Sequence, residues 1–299
     1  MLCLGHNRGR DARGGWSSAC CQRMALLKRA AWIEDAMTTV ACIKWGTLFG
    51  PEYVNRLYSG VRRHLSGEVR FLCMTEDAQG FHPDIEVLDL PIEPFLEPMN
   101  QALAVANRQG AMRKTSLFRK GLIRDLKGPV LGFDLDVVIT GSLDELLEFE
   151  PGKVAMRHDW VEKRKGRPTG HGSVFRFDPE LHGYLYEELA LNPYKEVEKA
   201  RGSEQRYTSH KAMDHGDFAY IPPEWVVSFK HDCLPMWPMN FLASPKLLDA
   251  AKVVCFHGRP KMPEAIAGYS HPIRACRPCG WLQDHWIDAA RADLGGDWA

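Results

Sequence analysis

No apolar run in the chain reaches the roughly 20 residues a membrane-spanning helix needs, because charged residues interrupt every long hydrophobic stretch. That predicts no transmembrane segment. Net charge is missing too: 38 Lys and Arg balance 38 Asp and Glu, which argues against a broad polyanion-binding surface and against nucleic acid as a partner. No G-x-G-x-x-G or Walker loop follows any candidate strand, so a dinucleotide or ATP site is disfavoured. The first 36 residues lack the continuous apolar core of a secretory leader. With an odd count of nine cysteines, this predicts reduced thiols and a cytoplasmic protein. Internal repeats and low-complexity tracts are absent as well.

One C-x-x-C, Cys276 to Cys279, has His271 and His285 nearby. It reads as a turn set by Pro278 and Gly280, or as half of a zinc or redox site, which would normally bring a second ligand pair.

A chain of 299 residues with 45% hydrophobic content can bury a sizeable core. Residues 1–36 show no sustained periodicity and read as a disordered or loosely docked extension before a single domain over 37–299. Strand patterns fall at 40–46, 69–74, 85–91, 153–157, 173–178 and 252–256. Helical patterns fall at 51–64, 112–126 and 181–191, and Ser142 with Glu145 has the form of a capping box. Such alternation predicts an α/β fold with a mostly parallel central sheet flanked by helices. The polar, Gly-rich stretch 159–172 reads as a mobile loop. In the 112–126 helix, Arg113 and Lys114 are within reach of a bound diphosphate, or else form a solvated face.

The most informative stretch is 130–141, an apolar, β-branched run interrupted by Asp134 and Asp136. As one strand it projects both carboxylates from the same face, with Leu135 pointing away. Two hard oxygen ligands from one segment suit Mg²⁺ or Mn²⁺, above all when substrate phosphates complete the shell. D-x-D alone is a frequent pattern, but unpaired like charges in an apolar strand are costly, and a divalent cation removes that cost. A second candidate lies at the exit of the 252–256 strand, where His257 is followed by Gly258, Arg259 and Lys261.

With both segments in view, residues from about 40 to 264 resemble a GT-A-fold glycosyltransferase of the retaining group that includes glycogenin and bacterial lipooligosaccharide galactosyltransferases. Residues 133–138, FDLDVV, resemble the D-x-D strand of that family, and 142–146, SLDEL, the segment that follows it. Residues 256–261, FHGRPK, resemble its C-terminal His-Gly-Lys motif. The resemblance implies Asp134, Asp136 and His257 as ligands of Mn²⁺ or Mg²⁺, and Lys261 as a contact to the diphosphate of a nucleotide-sugar donor, expected to be UDP-linked. The spacing from His to Lys is shorter here and Arg259 stands between, which leaves open which cation meets the diphosphate. Lys44 and Tyr53 fall in the region that holds the nucleoside, Gly172-Ser173 resembles the segment lining the donor sugar, and Glu204-Gln205 resembles the step beneath it. Transfer with retention to an unknown carbohydrate, lipid-linked or protein acceptor follows from the resemblance; an inverting enzyme would need a base such as Asp159 or Glu204. Two rivals remain: a divalent-metal nucleotidyltransferase or phosphohydrolase using the same two carboxylates, and a non-catalytic binding protein on the same fold.

Overall fold

The computed structural model describes residues 37–108, 111–161 and 167–298. The proposed extension over 1–36 lies outside the described residues, as does the 162–166 part of the expected loop.

The chain opens with β1 (Thr38–Lys44), crosses through helix α1 (Pro51–His64) and returns as β2 (Val69–Thr75), parallel to β1 from Thr38↔Val69 to Lys44↔Thr75. Strand β3 (Glu86–Asp89) adds at the far edge, followed by α2 (Leu96–Val105). Strand β4 (Val130–Phe133) pairs parallel with β1 on its other side. β5 (Val137–Ile139), α3 (Asp144–Glu148), β6 (Val154–His158) and β7 (Gly170–Phe177) follow; α4 (Pro179–His182), α5 (Tyr184–Leu191), α6 (Pro193–Lys199) and α7 (Glu204–Asp214) then lead to β8 (Phe218–Ile221). The large sheet runs β3-β2-β1-β4-β7-β6-β8 and is mostly parallel, β7 being antiparallel to both its neighbours. A second, three-stranded sheet joins β5 to β10 (Val253–Cys255) and β9 (Val226–Ser228). Helix α8 (Met262–Ala267) follows β10.

Both faces of the large sheet are covered, as its near-continuous apolar strands predict. Along β1, Val40 and Cys42 pack with Val54, Leu57, Tyr58 and Val61 of α1, while Ala41 points to the opposite layer with Leu185 and Leu189 of α5. Helix α1 matches its expected limits: Pro51 starts it, Glu52 lies in its first turn and Arg62, Arg63 and His64 in its last, in line with the helix dipole. Gly60 lets it approach the small sheet, since a Cβ there would sit 3.2 Å from Ile139. None of the described helices is long and apolar enough to cross a membrane.

Several local expectations fail. The run 130–141 is not one strand: β4 belongs to the large sheet and β5 to the small one, and Asp134, Leu135 and Asp136 form the bend between them. The 112–126 helix shrinks to a 3₁₀ turn at Arg113–Phe118, because Met112, Gly121 and Asp125 all take positive φ. The 181–191 helix divides at Gly183 into α4 and α5. No capping box forms at Ser142: α3 starts after Leu143, and Glu145 pairs with Lys252 instead. Residues 170–172, expected in a loop, begin β7.

Gly132, opposite Phe175 in the β4–β7 register, is required by packing: a Cβ there would fall 2.3 Å from the Phe175 ring. Gly132→Ala is expected to destabilise the fold by about 1–3 kcal/mol through overpacking. Chemical denaturation measures this, and an unchanged midpoint would mean that the ring swings aside at no cost.

Candidate active site

The bend at Asp134–Asp136 lies at the C-terminal edge of the parallel strands, where open α/β sheets bind ligands. Backbone bonds fix it from both sides: Asp134 N–H donates to Ser173 O at 3.0 Å, and Phe256 N–H donates to Asp136 O at 2.8 Å. The first half of β7 and the end of β10 therefore converge on one short segment.

Around Asp134 the structure gathers several residues singled out in the sequence. Lys114 Nζ donates to Asp134 Oδ1 at 2.8 Å and to Gly172 O at 2.9 Å, and lies 3.9 Å from Glu204 Oε2. Ser173 Oγ donates to Asp134 Oδ2 at 3.0 Å. Burial opposes the Lys114 ammonium, but Asp134 and Glu204 outweigh it, and its pKa is raised. Burial also raises the Glu204 pKa, with Asp134 adding to the rise and Lys114 opposing it. Both Glu204 and Gln205 lie in the first turn of α7, which Ser203 caps by accepting from Arg206 N–H. Gln205 is held at both ends: Gly172 N–H donates to Oε1 at 3.2 Å, and Nε2 donates to buried Asp159 Oδ2 at 2.7 Å. A carboxamide has two N–H donors and two acceptor lone pairs, so half of its capacity remains for a ligand.

Asp136 faces the other motif. Lys261 Nζ donates to Asp136 Oδ2 and, at 2.9 Å, to Phe256 O, while Glu264 Oε2 accepts from Lys261 N–H at 2.9 Å. Burial and the nearby Asp134 charge raise the Asp136 pKa against the pull of Lys261. Tyr53 stands near enough that Asp136 contributes to its raised pKa, for which burial is the main cause. Arg259 turns outward onto Glu264 at 3.0 Å, so that of the two motif cations Lys261 is the one at the bend. Gly258 has φ +82°, and a Cβ on it would come 3.3 Å from Lys230 Nζ. Lys44, at the end of β1, reaches Asp77 O at 3.3 Å, and the Arg113 guanidinium lies 4.9 Å over the Trp45 ring.

His257 is built into a cluster of rings. It stacks on Trp160 at 5.0 Å and on His231 at 5.5 Å, and meets His171 at 5.1 Å. Its Nε2 is 2.8 Å from buried Ser228 Oγ, and Lys230 Nζ donates to its carbonyl at 2.9 Å. Sequence reading missed His171, Trp160, Ser228 and Lys230. The one available signal was a histidine between Gly170 and Gly172 in a strand pattern that resumes at Ser173.

Among the described residues, no group of three or more His, Cys, Asp and Glu is spaced to hold a metal ion, and His257 is not gathered with Asp134 and Asp136 into such a group. The pair of carboxylates does fit a hard divalent cation chemically: both are oxygen donors at one bend, and the charge of Asp134 already strains the ionised form of Asp136. His257 is held neutral, as a metal-binding imidazole must be. Burial, helped by Lys230 and the other histidines, lowers its pKa to about 3. Burial likewise lowers His171 to about 4.

These two histidines make stability depend on pH. Both take up a proton in the unfolded chain near pH 6.5 but resist it when folded, so the unfolded state binds more protons below that value. Stability is expected to fall from about pH 7 to about pH 5, by up to about 1.4 kcal/mol per pH unit for His171. Thermal unfolding across this range should show a flatter profile for His171→Asn with His257→Asn than for wild type. Parallel profiles would show that neither imidazole is held neutral.

No protein-family model and no curated protein matches the chain. Solved structures do match in fold. A glycosyltransferase, GlyE, of Streptococcus pneumoniae aligns over 85% of this chain with a TM-score of 0.53 at 11% identity; the chain spans 60% of that protein's length. The galactosyltransferase LgtC, in complex with donor and acceptor sugar analogs, aligns over 85% of this chain and 96% of its own, with a TM-score of 0.51 at 14% identity. The bifunctional glycosyltransferase WbbM aligns over 86% of this chain and 50% of its own, with a TM-score of 0.50 at 13% identity. The expected fold is thus the observed one: a mostly parallel α/β sheet of the glycosyltransferase GT-A type.

Proposed function

We propose that the chain is a metal-dependent glycosyltransferase that moves a sugar from a nucleotide donor, UDP-linked, to a carbohydrate, lipid-linked or protein acceptor. The observation that carries this reading is the meeting of Asp134, Asp136, Lys114, Lys261, Glu204 and Gln205 at the sheet edge of a fold shared with known glycosyltransferases. In this reading 37–299 is the catalytic domain and 1–36 an extension.

Asp134 and Asp136 would hold Mn²⁺ or Mg²⁺, which would supply charge neutralisation for the departing nucleoside diphosphate, while His257, the third ligand that the resemblance implies, is not gathered with them. The protein's own cations act on the same charge. Lys261, at the bend, meets the diphosphate; Lys114 backs Asp134 and keeps the floor of the site electrically balanced. Gly258 allows backbone to come close to the phosphates, and Arg259 extends the positive rim. Lys44, Tyr53 and Arg113 line the nucleoside side. Ser173 and Gln205 orient the donor sugar, Gln205 being fixed by Gly172 and Asp159 so that its remaining donor and acceptor face the sugar hydroxyls. Buried Glu204 lies beside Gln205 and tunes the charge under the reacting carbon.

A screen of common nucleotide sugars, read as nucleoside diphosphate release with Mn²⁺ present, tests the reading. Release from at least one donor is expected, and none from any of them would reject it. Proton NMR of the first product decides the stereochemistry, with retention expected.

A further inference from the structure

Between the turn at Phe229–Cys233 and β10, the chain displays apolar side chains outward. Met236, Trp237, Met239, Phe241 and Leu242, five of seven consecutive residues, are exposed, Met236 by 86% and Leu242 by 71%. Soluble surfaces scatter such residues singly, whereas a contiguous group marks a contact surface. This stretch is not a loose tail. Asn240, itself buried, donates through Nδ2 to Ile273 O and Ala275 O, both at 2.9 Å, tying the apolar loop to the segment around Ile273, which is also exposed.

Charge around the patch has one prevailing sign. Residues 229–249 and 268–279 together carry Lys230, Lys246, Arg274 and Arg277, against Asp232 and Asp249. Asp232 Oδ2 is turned inward, accepting from Trp160 Nε1 at 2.9 Å and Ser228 N–H at 2.7 Å. Arg274 and Lys261 act on Lys230 across the gap and, after burial, lower its pKa, so the cations share one neighbourhood. A zero net charge over the whole chain makes this local excess a feature of the patch.

We propose that this surface docks on an anionic lipid bilayer. Trp, Phe, Leu and Met rimmed by Lys and Arg are the side chains that enter the headgroup boundary, the apolar ones inserting and the cations pairing with lipid phosphates. The occupant is favoured over a second copy of the chain because exposed Lys246, Arg274 and Arg277, against exposed Asp249, oppose a self-complementary contact, while they favour an anionic sheet. The patch starts five residues after His231, whose ring stacks on His257, so docking occurs close in the chain to the candidate site. Its consequence for the reaction, which rests on the glycosyl-transfer reading, is that the acceptor is carried on a membrane lipid.

Co-sedimentation of the full chain with vesicles tests the docking without donor, metal or acceptor, so its failure is distinct from failure of transfer. Binding is expected to vesicles of phosphatidylcholine with about a third phosphatidylglycerol, at least tenfold stronger than to phosphatidylcholine alone, and weaker at high salt. Met236→Ser with Trp237→Ser, and separately Lys246→Glu with Arg274→Glu, should each lower binding about tenfold or more. Circular dichroism and melting temperature confirm that the variants fold. No binding to anionic vesicles overturns the proposal, as does binding that neither pair of substitutions weakens. A concentration-dependent dimer abolished by the serine pair would assign the patch to a second copy and overturn it equally.

Discussion

Asp134→Asn combined with Asp136→Asn is expected to lower sugar transfer by on the order of a hundredfold or more, because both anionic oxygens offered to a cation disappear while the shape of the bend is kept. Binding gives a second readout. Mn²⁺ with UDP should stabilise the wild-type chain by about 2.7 kcal/mol when the ligand is at about a hundred times its dissociation constant, a rise of roughly 5 °C or more in melting temperature. In the double variant that joint shift should vanish. Without ligands the variant should be less stable by about 1 kcal/mol, since Lys114 and Lys261 lose their anionic partners. Two repelling carboxylates alone would have given the opposite sign; the lysines reverse it. A thermal-shift series with Mn²⁺, UDP and both together makes the comparison. An undiminished joint shift would mean that the carboxylates serve only the lysines.

Lys114→Ala should show the second-largest effect, and mainly on the fold. The side chains of Lys114 and Glu204 are only 19% and 16% exposed, and that of Asp134 is 34% exposed. Removing the ammonium leaves two carboxylates facing each other and takes a donor from Gly172 O. Loss of one member of a fully buried ion pair costs about 3–5 kcal/mol. Solvent around Asp134 reduces the expectation here to roughly 2–3 kcal/mol. Adding Glu204→Gln should recover part of that loss, because it removes one of the orphaned charges. Lys114→Arg should not rescue, since Nζ sits in a tight slot: even a Cβ on Gly172 would come within 3.2 Å of it. Denaturant unfolding of the single and double variants gives the coupling energy directly. A single variant within about 0.5 kcal/mol of wild type would show Lys114 to be a solvated cation with no structural task.

Much of the scaffold could be read without coordinates. Periodicity placed α1 over its full length, because Val54, Leu57, Tyr58 and Val61 recur at helical spacing. Strand and helix alternation gave the mostly parallel sheet. The residues flagged around the two motifs also include those that meet at the bend, since a charge inside an apolar run needs a partner and so announces itself. Expectations resting on spacing alone were weaker. The 112–126 pattern was compatible with a helix, but positive φ at Met112, Gly121 and Asp125 follows from packing of the turn on its neighbours, which no window of residues contains.

What the sequence determined by itself, then, is which segments are apolar, with what period, and where charge interrupts them. Tertiary structure alone decided that the 130–141 run divides between two sheets. Strand membership is set by backbone hydrogen bonds to distant partners, with β4 lying on β1 and β7, and β5 on β10. It also decided that Lys114 answers Asp134 across 20 positions and Lys261 answers Asp136 across 125. Local patterning can state that a buried carboxylate must be neutralised, since that follows from its desolvation. Which cation neutralises it depends on chain segments that only the packed sheets bring within hydrogen-bond reach.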